Sequence, residues 1–302
     1  MESILVTKQL TKRYGQKTVL DNVSVDVKKG GIYGLVGRNG AGKTTLMKIV
    51  GGMTNATEGS FEIGESTECK NAVKKGILIE NPGILSKMTA KDNLKIKCIA
   101  AGVRDKEEPA RLLNLVDLKG VEKKQTRKFS FGMKQRLGIA LALVGHPELV
   151  ILDEPINGLD PQGIQMVREL IQKVNREEGT TFLISSHILD ELSMVATRYG
   201  FLNNGKCLEE IDSEALRAKC THRLELVTNR NAAAIPVLER LGFENFKVMN
   251  DGSIQIFEGI ERSGEITGAL AEEGIAVLEI VKRLESLEDY FIRMIGREEE
   301  QK

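Results

Sequence analysis

The sequence predicts an α/β protein with a parallel β-sheet core, followed by a small α+β unit at the carboxyl end. Three observations favour this fold class. Apolar strand patterns at 31–36, 149–152 and 181–185 are separated by helical patterns, as in a parallel α/β core. A glycine-rich loop joins the first of these strands to a helix, and the second ends in two acidic residues. From about residue 221 the pattern changes to short strands, helices and a hairpin around Asn250-Asp251-Gly252.

The individual elements follow from apolar periodicity and turn residues. Strand patterns at 3–8 and 19–27 flank a polar bend that contains Tyr14, and the glycine-rich loop opens a helix from Lys43 to about Gly51. A mostly helical region at 86–128 has apolar faces that include Leu94, Ile96, Ile99, Leu112, Leu113, Leu115 and Val116. An amphipathic helix is expected at 163–178. In the carboxyl-terminal unit we expect strands at 223–228, 245–249, 253–257 and 276–281, and helices at 232–241, 264–273 and 287–295.

Composition and charge exclude several protein classes. Of the 302 residues 41% are hydrophobic, no apolar run is long enough to span a membrane, and the amino terminus lacks a signal-peptide pattern. The four cysteines have no metal-ligand spacing, so we expect reduced thiols in the cytosol. Net charge is zero, which gives no argument for nucleic acid. The range 221–302 carries a net −6 and 1–220 a net +6. This split suggests two domains with these boundaries, although solvated surface charge is the commoner cause of such a difference.

Residues 37–44 match the phosphate-binding pattern G-x-x-x-x-G-K-[ST] in full. The glycines let backbone N–H groups curl around phosphates at a helix N-terminus. Lys43 is expected to reach the β- and γ-phosphates, and the Thr44 hydroxyl to ligate Mg²⁺. The predicted nucleotide-binding residues of this loop are Gly37, Asn39, Gly40, Ala41, Gly42, Lys43, Thr44 and Thr45.

A second string, Gly200 to Cys207, has the same spacing up to its lysine but ends in Cys. The residues after it do not open a helix. We therefore interpret Asn203-Asn204-Gly205 as a hairpin turn, and the chain as having one nucleotide loop.

Asp153 and Glu154 end the apolar strand 149–152. The carboxyl edge of a parallel sheet is where ligands bind in doubly wound folds. Asp153 suits the Mg²⁺ shell. Glu154 suits activation of the attacking water, since phosphoryl transfer needs chiefly positioning and charge stabilisation.

A run from Ser130 through Gly132 to Gln135 resembles the signature of the ABC ATPases, placed before the acidic strand as in that family. Other elements occur in the family's order. Tyr14 resembles the aromatic residue that stacks on adenine, Gly158-Leu159-Asp160 the D-loop at the dimer interface, and His187 the switch histidine at the γ-phosphate. By itself, Ser130 would also suit an ordinary helix cap, and Tyr14 ordinary packing.

This resemblance implies a P-loop NTPase with a RecA-like parallel-sheet core, an antiparallel β subdomain, and a helical subdomain at about 84–146. It implies an ATP hydrolase in which Glu154, His187 and Lys43 are catalytic. Two chains would form a homodimer around two ATP molecules, with Ser130 and Gly132 of one chain facing nucleotide held by the other. A separate integral membrane subunit would be the partner, contacted through residues about 80–100 at the cytoplasmic face of the cell membrane.

Two departures from the ABC ATPase pattern indicate which members of that family the chain resembles. Phe131 and Met133 stand where many members have Gly and Gln, and Glu80 stands where the Q-loop glutamine is usual. A carboxylate near the γ-phosphate is unfavourable unless Mg²⁺ lies between the charges. We therefore predict that Glu80 contacts the metal or its water and still couples the site to the membrane partner. With the carboxyl-terminal extension, these features resemble the ATPases of bacitracin-resistance and lantibiotic-immunity exporters.

The implied function is to energise export of a peptide antibiotic. Export of a lipid, ion or drug is the first alternative. A soluble ABC protein acting on ribosomes or DNA is disfavoured, because only one nucleotide loop occurs and residues 46–129 lack heptad-repeat arms. The carboxyl-terminal unit is open to two interpretations, a dimer clamp or a ligand sensor.

Overall fold

The structure is a computed structural model that describes residues 2–64, 73–220, 222–249 and 251–300. The chain forms two compact units, one ending at Ser213 and the other beginning at Glu214. The sequence predicts this division after residue 220. The difference is one short helix, Ser213–Lys219, most of which belongs to the second unit.

The first unit alternates strands and helices after an antiparallel start. In chain order its elements are β1 (Ser3–Tyr14), β2 (Lys17–Val23), β3 (Asp26–Lys28), β4 (Ile32–Val36), α1 (Lys43–Val50), β5 (Glu58–Ile63), β6 (Lys75–Leu78), α2 (Ala90–Ala100), α3 (Glu108–Leu115), α4 (Phe131–Ala142), β7 (Leu149–Asp153), α5 (Pro161–Glu178), β8 (Thr181–Ser186), α6 (Leu189–Ser193), β9 (Arg198–Asn203) and β10 (Lys206–Asp212).

A six-stranded sheet in the order β10-β9-β4-β8-β7-β6 forms the centre of this unit. Its strands are parallel except β10, which pairs with β9 as an antiparallel hairpin. Every residue of β4, β7 and β8 is buried, as expected for parallel strands covered on both faces. The predicted parallel core is confirmed. Because β4, β7 and β8 lie side by side, the residues that follow them meet at one edge of the sheet.

The second sheet is antiparallel, and its long strand β1 pairs with β2, β3 and β5. The predicted strand at 3–8 is too short, because β1 continues through the expected polar bend to Tyr14. The chain then turns at Gly15, where φ is +59°. Leu5, Leu10 and Leu20 of this sheet pack with α1 in one apolar core.

Helices α2, α3 and α4 contact one another within the region where a helical subdomain was expected. Leu94, Leu112 and Leu113 are buried, as predicted. The prediction was wrong for Ile96 and Ile99, whose exposed fractions are 40% and 78%. Both lie outside the buried positions of α2, which include Asn93, Leu94 and Cys98. Apolar periodicity does not distinguish such exposed positions from a core face.

The second unit contains α7 (Ser213–Lys219), β11 (His222–Thr228), α8 (Asn231–Arg240), β12 (Phe246–Val248), β13 (Ile254–Ile256), α9 (Ser263–Glu272), β14 (Val277–Leu284) and α10 (Leu287–Glu300). The six elements from β11 to β14 follow the order β-α-β-β-α-β. Their antiparallel sheet has the strand order β12-β13-β11-β14, the ferredoxin-like arrangement. Helices α8 and α9 bury the apolar side of the sheet, with Phe243 and Leu226 in the core. Every strand and helix predicted for 223–295 is present among the described residues, and Asn250 of the predicted hairpin turn lies outside them.

We expect Gly76→Ala to destabilise the first unit. A methyl group on Gly76, in β6, would lie 1.9 Å from the carbonyl oxygen of Ala142 at the end of α4, so a backbone would have to move. Overpacking of this kind costs about 1–3 kcal/mol or more. The matched control is Gly268→Ala in α9, where no atom lies within 4 Å and alanine should stabilise by about 0.5–1 kcal/mol. Thermal unfolding of both variants tests this expectation. Equal changes in the free energy of unfolding would contradict it.

Candidate functional site

The glycine-rich loop connects β4 to α1 and forms one wall of a cavity of about 530 Å³. Its backbone requires glycine at Gly42, where φ is +108° and a Cβ atom would lie 2.6 Å from Leu20 Cδ2. Gly40 also has a positive φ, of +84°. The residues that line the cavity are Lys17, Thr18, Val19, Arg38, Asn39, Gly40, Ala41, Gly42, Lys43, Thr44, Thr45, Glu154, Asn204 and Gly205.

This lining contains seven of the eight predicted loop residues together with Glu154. Gly37 does not line the cavity, and its carbonyl oxygen accepts a hydrogen bond of 2.6 Å from Lys43 Nζ. Tyr14 is not among the lining residues. Tyr14 is about half exposed at the end of β1, and Lys12 Nζ lies over its ring, 4.9 Å from the ring centroid.

The β2 residues of the cavity and the turn between β9 and β10 were not predicted to lie at the nucleotide loop. Gly205 of this turn donates its N–H to Ala41 O at 3.0 Å, and its carbonyl accepts from Asp21 N at 2.8 Å. The turn therefore holds the phosphate loop against β2. The local pattern of the turn indicates a hairpin but not its contact with the loop, because that contact forms only through the sheet.

The same turn shows the structure of the second sequence, Gly200 to Cys207, that has phosphate-loop spacing up to its lysine. Asn203 pairs with Lys206, and both Asn204 and Gly205 have positive φ values, as in a two-residue hairpin turn. The predicted turn is confirmed. Cys207 packs against the core of the first unit, and burial raises the pKa of its thiol to about 12, so it stays protonated.

Lys43 is nearly inaccessible, with 5% of its side chain exposed. Besides the Gly37 carbonyl, its ammonium lies 3.3 Å from Glu154 Oε1. A buried cation is costly unless it is paired and hydrogen-bonded, and here both conditions are met. The ammonium is thus held at the cavity in a position to face an anion.

Thr44 and Asp153 meet at the edge of the sheet although 109 residues separate them. Thr44 Oγ1 donates to Asp153 Oδ2 at 2.8 Å, and Ser185 Oγ donates to Asp153 Oδ1 at 2.6 Å. The Glu154 N–H in turn donates to Ser185 Oγ at 2.9 Å. A hydroxyl and a carboxylate are oxygen ligands that Mg²⁺ prefers, with substrate phosphates and water completing its shell. The residues therefore fit this metal, although the described residues contain no ready-made cluster of three acidic, His or Cys side chains.

Glu154 and His187 form a second pair across the ends of β7 and β8. His187 Nδ1 lies 2.7 Å from Glu154 Oε2, and the His187 N–H donates to the same oxygen at 3.3 Å. Glu154 has a φ of +48°, an unusual conformation for a non-glycine residue that marks a constrained position. The carboxylate is consequently fixed between Lys43 and His187 at the cavity wall.

Glu80 follows β6, with a φ of +59°. Its Oε1 atom lies 2.6 Å from Lys48 Nζ, one helical turn beyond Thr44 in α1, and 59% of its side chain is exposed. Among the described residues, Lys48 is its contact rather than the Thr44–Asp153 pair. The structure therefore brings Glu80 near the site but does not join it to the predicted metal ligands.

The signature residues line a different cavity, of about 450 Å³. Ser130 caps α4, its Oγ atom accepting from Met133 N at 3.2 Å, and Asp160 caps α5 by accepting from Gly163 N at 3.1 Å. The Phe131 ring is exposed and lies against Gly158, where a Cβ atom would be 3.2 Å from the ring. The lining is Asp117, Ser130, Phe131, Gly132, Met133, Arg136, Gly158, Leu159, Asp160, Gln162, Gly163 and Met166.

These two cavities have no lining residue in common. One chain therefore brings Lys43, Thr44, Asp153, Glu154 and His187 together but leaves the signature apart from them. In the part of the chain that the structure describes, no helix is long and apolar enough to cross a bilayer.

Comparison with known proteins agrees with this geometry. The family model for ABC transporters matches residues 20–157. The bacitracin transport ATP-binding protein BcrA of Bacillus licheniformis is 40% identical over 301 residues, a match that covers 98% of each chain. The lantibiotic transport ATP-binding protein SrtF of Streptococcus pyogenes is 44% identical over 209 residues, covering 68% of this chain and 90% of SrtF.

Solved structures show the same fold. The ATP-binding subunit of an ABC transporter has a TM-score of 0.64 and 27% identity, and the match covers 72% of this chain and 93% of that one. The dimeric cassette MJ0796 bound to ADP and Pi has a TM-score of 0.62 and 24% identity, with coverage of 69% and 98%. The phosphate loop, the acidic strand end and near full-length relatives lead to one conclusion: the chain belongs to the ATP-binding subunits of ABC transporters, an ATPase family that uses ATP and Mg²⁺.

Proposed function

We propose that this chain is the ATPase subunit of an exporter that removes a bacitracin-type peptide antibiotic from the cell membrane. The observation that carries the proposal is the extent of the match to BcrA, which includes the second unit as well as the ATPase unit. The match to SrtF is slightly higher in identity but covers only 68% of this chain. A lantibiotic cargo is therefore less well supported than a bacitracin-type cargo, and a lipid, ion or other drug is the remaining alternative.

Within one chain, the geometry supports a division of roles around the γ-phosphate of ATP. Lys43 would neutralise charge on the β- and γ-phosphates. The Glu154 carboxylate would accept a hydrogen bond from the attacking water and orient it, while His187 holds that carboxylate in place. Thr44 and Asp153 would hold Mg²⁺, which when bound stabilises negative charge on the phosphates. Tyr14, exposed at the end of β1, would stack on adenine.

Two copies would complete each site. The separation of Ser130 and Gly132 from the Lys43 cavity supports a homodimer in which each signature faces nucleotide bound to the other chain. Asp160 would lie at the interface of that dimer. The MJ0796 cassette is dimeric, which supports a dimer here as well.

The membrane partner would be a separate integral subunit, and the chain would work at the cytoplasmic face of the membrane. Exposed apolar side chains at 85–99 support a docking surface there, since Leu85 is 47% exposed and Ile96 and Ile99 of α2 are also exposed. Nucleic acid has no support as a partner, because the net charge is zero.

Antibiotic susceptibility tests this proposal. The chain would be expressed with its membrane subunit in a susceptible strain, and inhibitory concentrations measured for bacitracin and for a lantibiotic. We expect protection against bacitracin that disappears when Glu154→Gln replaces the parent chain. Protection against the lantibiotic alone, or against neither, would contradict the bacitracin assignment.

A further prediction concerns Glu80. If its carboxylate leaves Lys48 to contact Mg²⁺ or a metal-bound water once ATP is present, Glu80→Gln should lower the ATPase rate about tenfold and raise the Mg²⁺ concentration required. Lys48→Met is the control, because it removes the ion pair and keeps the carboxylate. Steady-state ATPase assays over a Mg²⁺ series check both variants. An unchanged rate and an unchanged Mg²⁺ requirement in Glu80→Gln would remove Glu80 from the site.

A further inference from the structure

Strand β14 forms one edge of the ferredoxin-like sheet in the second unit. It spans eight residues, Val277–Leu284, and pairs with β11 on its inner side. Among the described residues no strand pairs with its outer side. The opposite edge is β12, which has only three residues, Phe246–Val248. The outer N–H and C=O groups of β14 therefore form a much longer template for another strand.

The side chains of this edge are accessible. Leu278 is 67% exposed, and Glu279, Lys282 and Arg283 are exposed as well. Arg283 contacts Glu225 of β11 at 3.2 Å, but 55% of the arginine side chain is exposed, so this ion pair is weakly held. Charged residues commonly protect an edge from association. Their order along β14 decides whether they do so here.

The order of charged residues along β14 is self-complementary when two copies of the strand pair antiparallel. If two copies of β14 pair antiparallel about a twofold axis at Val281, Glu279 of each copy lies directly opposite Arg283 of the other. Glu279, Val281 and Arg283 alternate along the strand and so lie on the same face of the sheet. The pairing therefore forms two opposite-charge pairs on either side of an apolar Val281–Val281 contact. Cross-strand pairs of both kinds stabilise antiparallel sheets.

We propose that β14 binds β14 of a second copy of this chain, so that two second units form one continuous eight-stranded sheet. A second copy is favoured over an unrelated strand because it supplies the matching Glu and Arg at the required spacing. The contact goes beyond the proposed function, since it uses neither nucleotide nor the signature cavity. It assigns the second unit the role of a dimer clamp, which holds two ATPase subunits together when nucleotide is absent.

Disulfide trapping tests the register. In the full chain with its four native cysteines changed to serine, Val281→Cys should form a cross-linked dimer under mild oxidation without nucleotide, because the two residues face each other on the axis. Leu278→Cys is the control. Its side chain is more exposed, but in this register the two copies of residue 278 lie about 20 Å apart. Cross-linking of Leu278→Cys at least as efficient as that of Val281→Cys would overturn the proposal.

Charge reversal tests the chemistry in the Val281→Cys background. Glu279→Arg should reduce the cross-linked fraction about tenfold, since it places like charges opposite each other twice. Adding Arg283→Glu should restore cross-linking, and Lys247→Glu on the β12 edge should leave it unchanged. No loss in Glu279→Arg, or no recovery in the double variant, would contradict the pairing. These cross-linking experiments contain no ATP, so a negative result would not contradict the proposed ATPase function. Loss of ATPase activity in another variant would likewise not contradict the β14 contact.

Discussion

Glu154→Gln is expected to bind ATP with Mg²⁺ normally and to hydrolyse it at least about 100-fold more slowly than the parent chain. The substitution keeps the size and position of the side chain at the end of β7 but removes the negative charge. An amide is a much weaker acceptor for the proton of the attacking water, and loss of a general base typically costs 10²–10⁴-fold. Single-turnover ATPase assays and equilibrium nucleotide binding measure the two properties separately.

The same variant should accumulate as an ATP-bound dimer, because the closed state can no longer be opened by hydrolysis. Retention of bound ATP by the isolated dimer would detect this closed state, whether or not the second units already hold the two chains together. Glu148→Gln is the matched control, since Glu148 lies at the other end of the same strand and is about half exposed. If Glu154→Gln hydrolysed ATP at the parental rate, another group would have to activate the water.

Mixing two inactive variants is expected to restore ATPase activity. Lys43→Ala removes the cation of the phosphate loop, and Ser130→Arg blocks the signature, so each variant alone should lose nearly all activity. In a mixed dimer, the intact Lys43 of one chain faces the intact Ser130 of the other. About half of the dimers in an equal mixture are mixed, and each has one functional site of two, so activity should return to about a quarter of the parental rate.

This experiment distinguishes a shared site from a site within one chain. If Ser130 acted on the nucleotide of its own chain, no mixture would regain activity. A mixture of Lys43→Ala with Asp153→Asn is the control, because both substitutions damage the same half of the site and their mixed dimer has no intact pair. Recovery in the control mixture would contradict the assignment of Asp153 to the Lys43 half.

Much of the fold was predictable because its signals are local. The apolar runs of β4, β7 and β8, the glycines of the phosphate loop and the turn residues of the second unit each specify their own backbone. The exposure of Ile96 and Ile99 was not predictable in this way. Their spacing is that of a buried helix face, and only tertiary packing decides that both side chains stay exposed.

The sequence by itself determined the ATPase family, the loop from Gly37 to Thr45 and the acidic end of β7, because each consists of neighbouring residues whose chemistry is readable from their order. Tertiary structure decided which distant groups meet: Thr44 with Asp153, Glu154 with His187, and Glu80 with Lys48. It also decided that the signature stays apart from the Lys43 cavity and that β14 is an edge strand. Strand order and side-chain contacts depend on long-range packing, which no local pattern encodes.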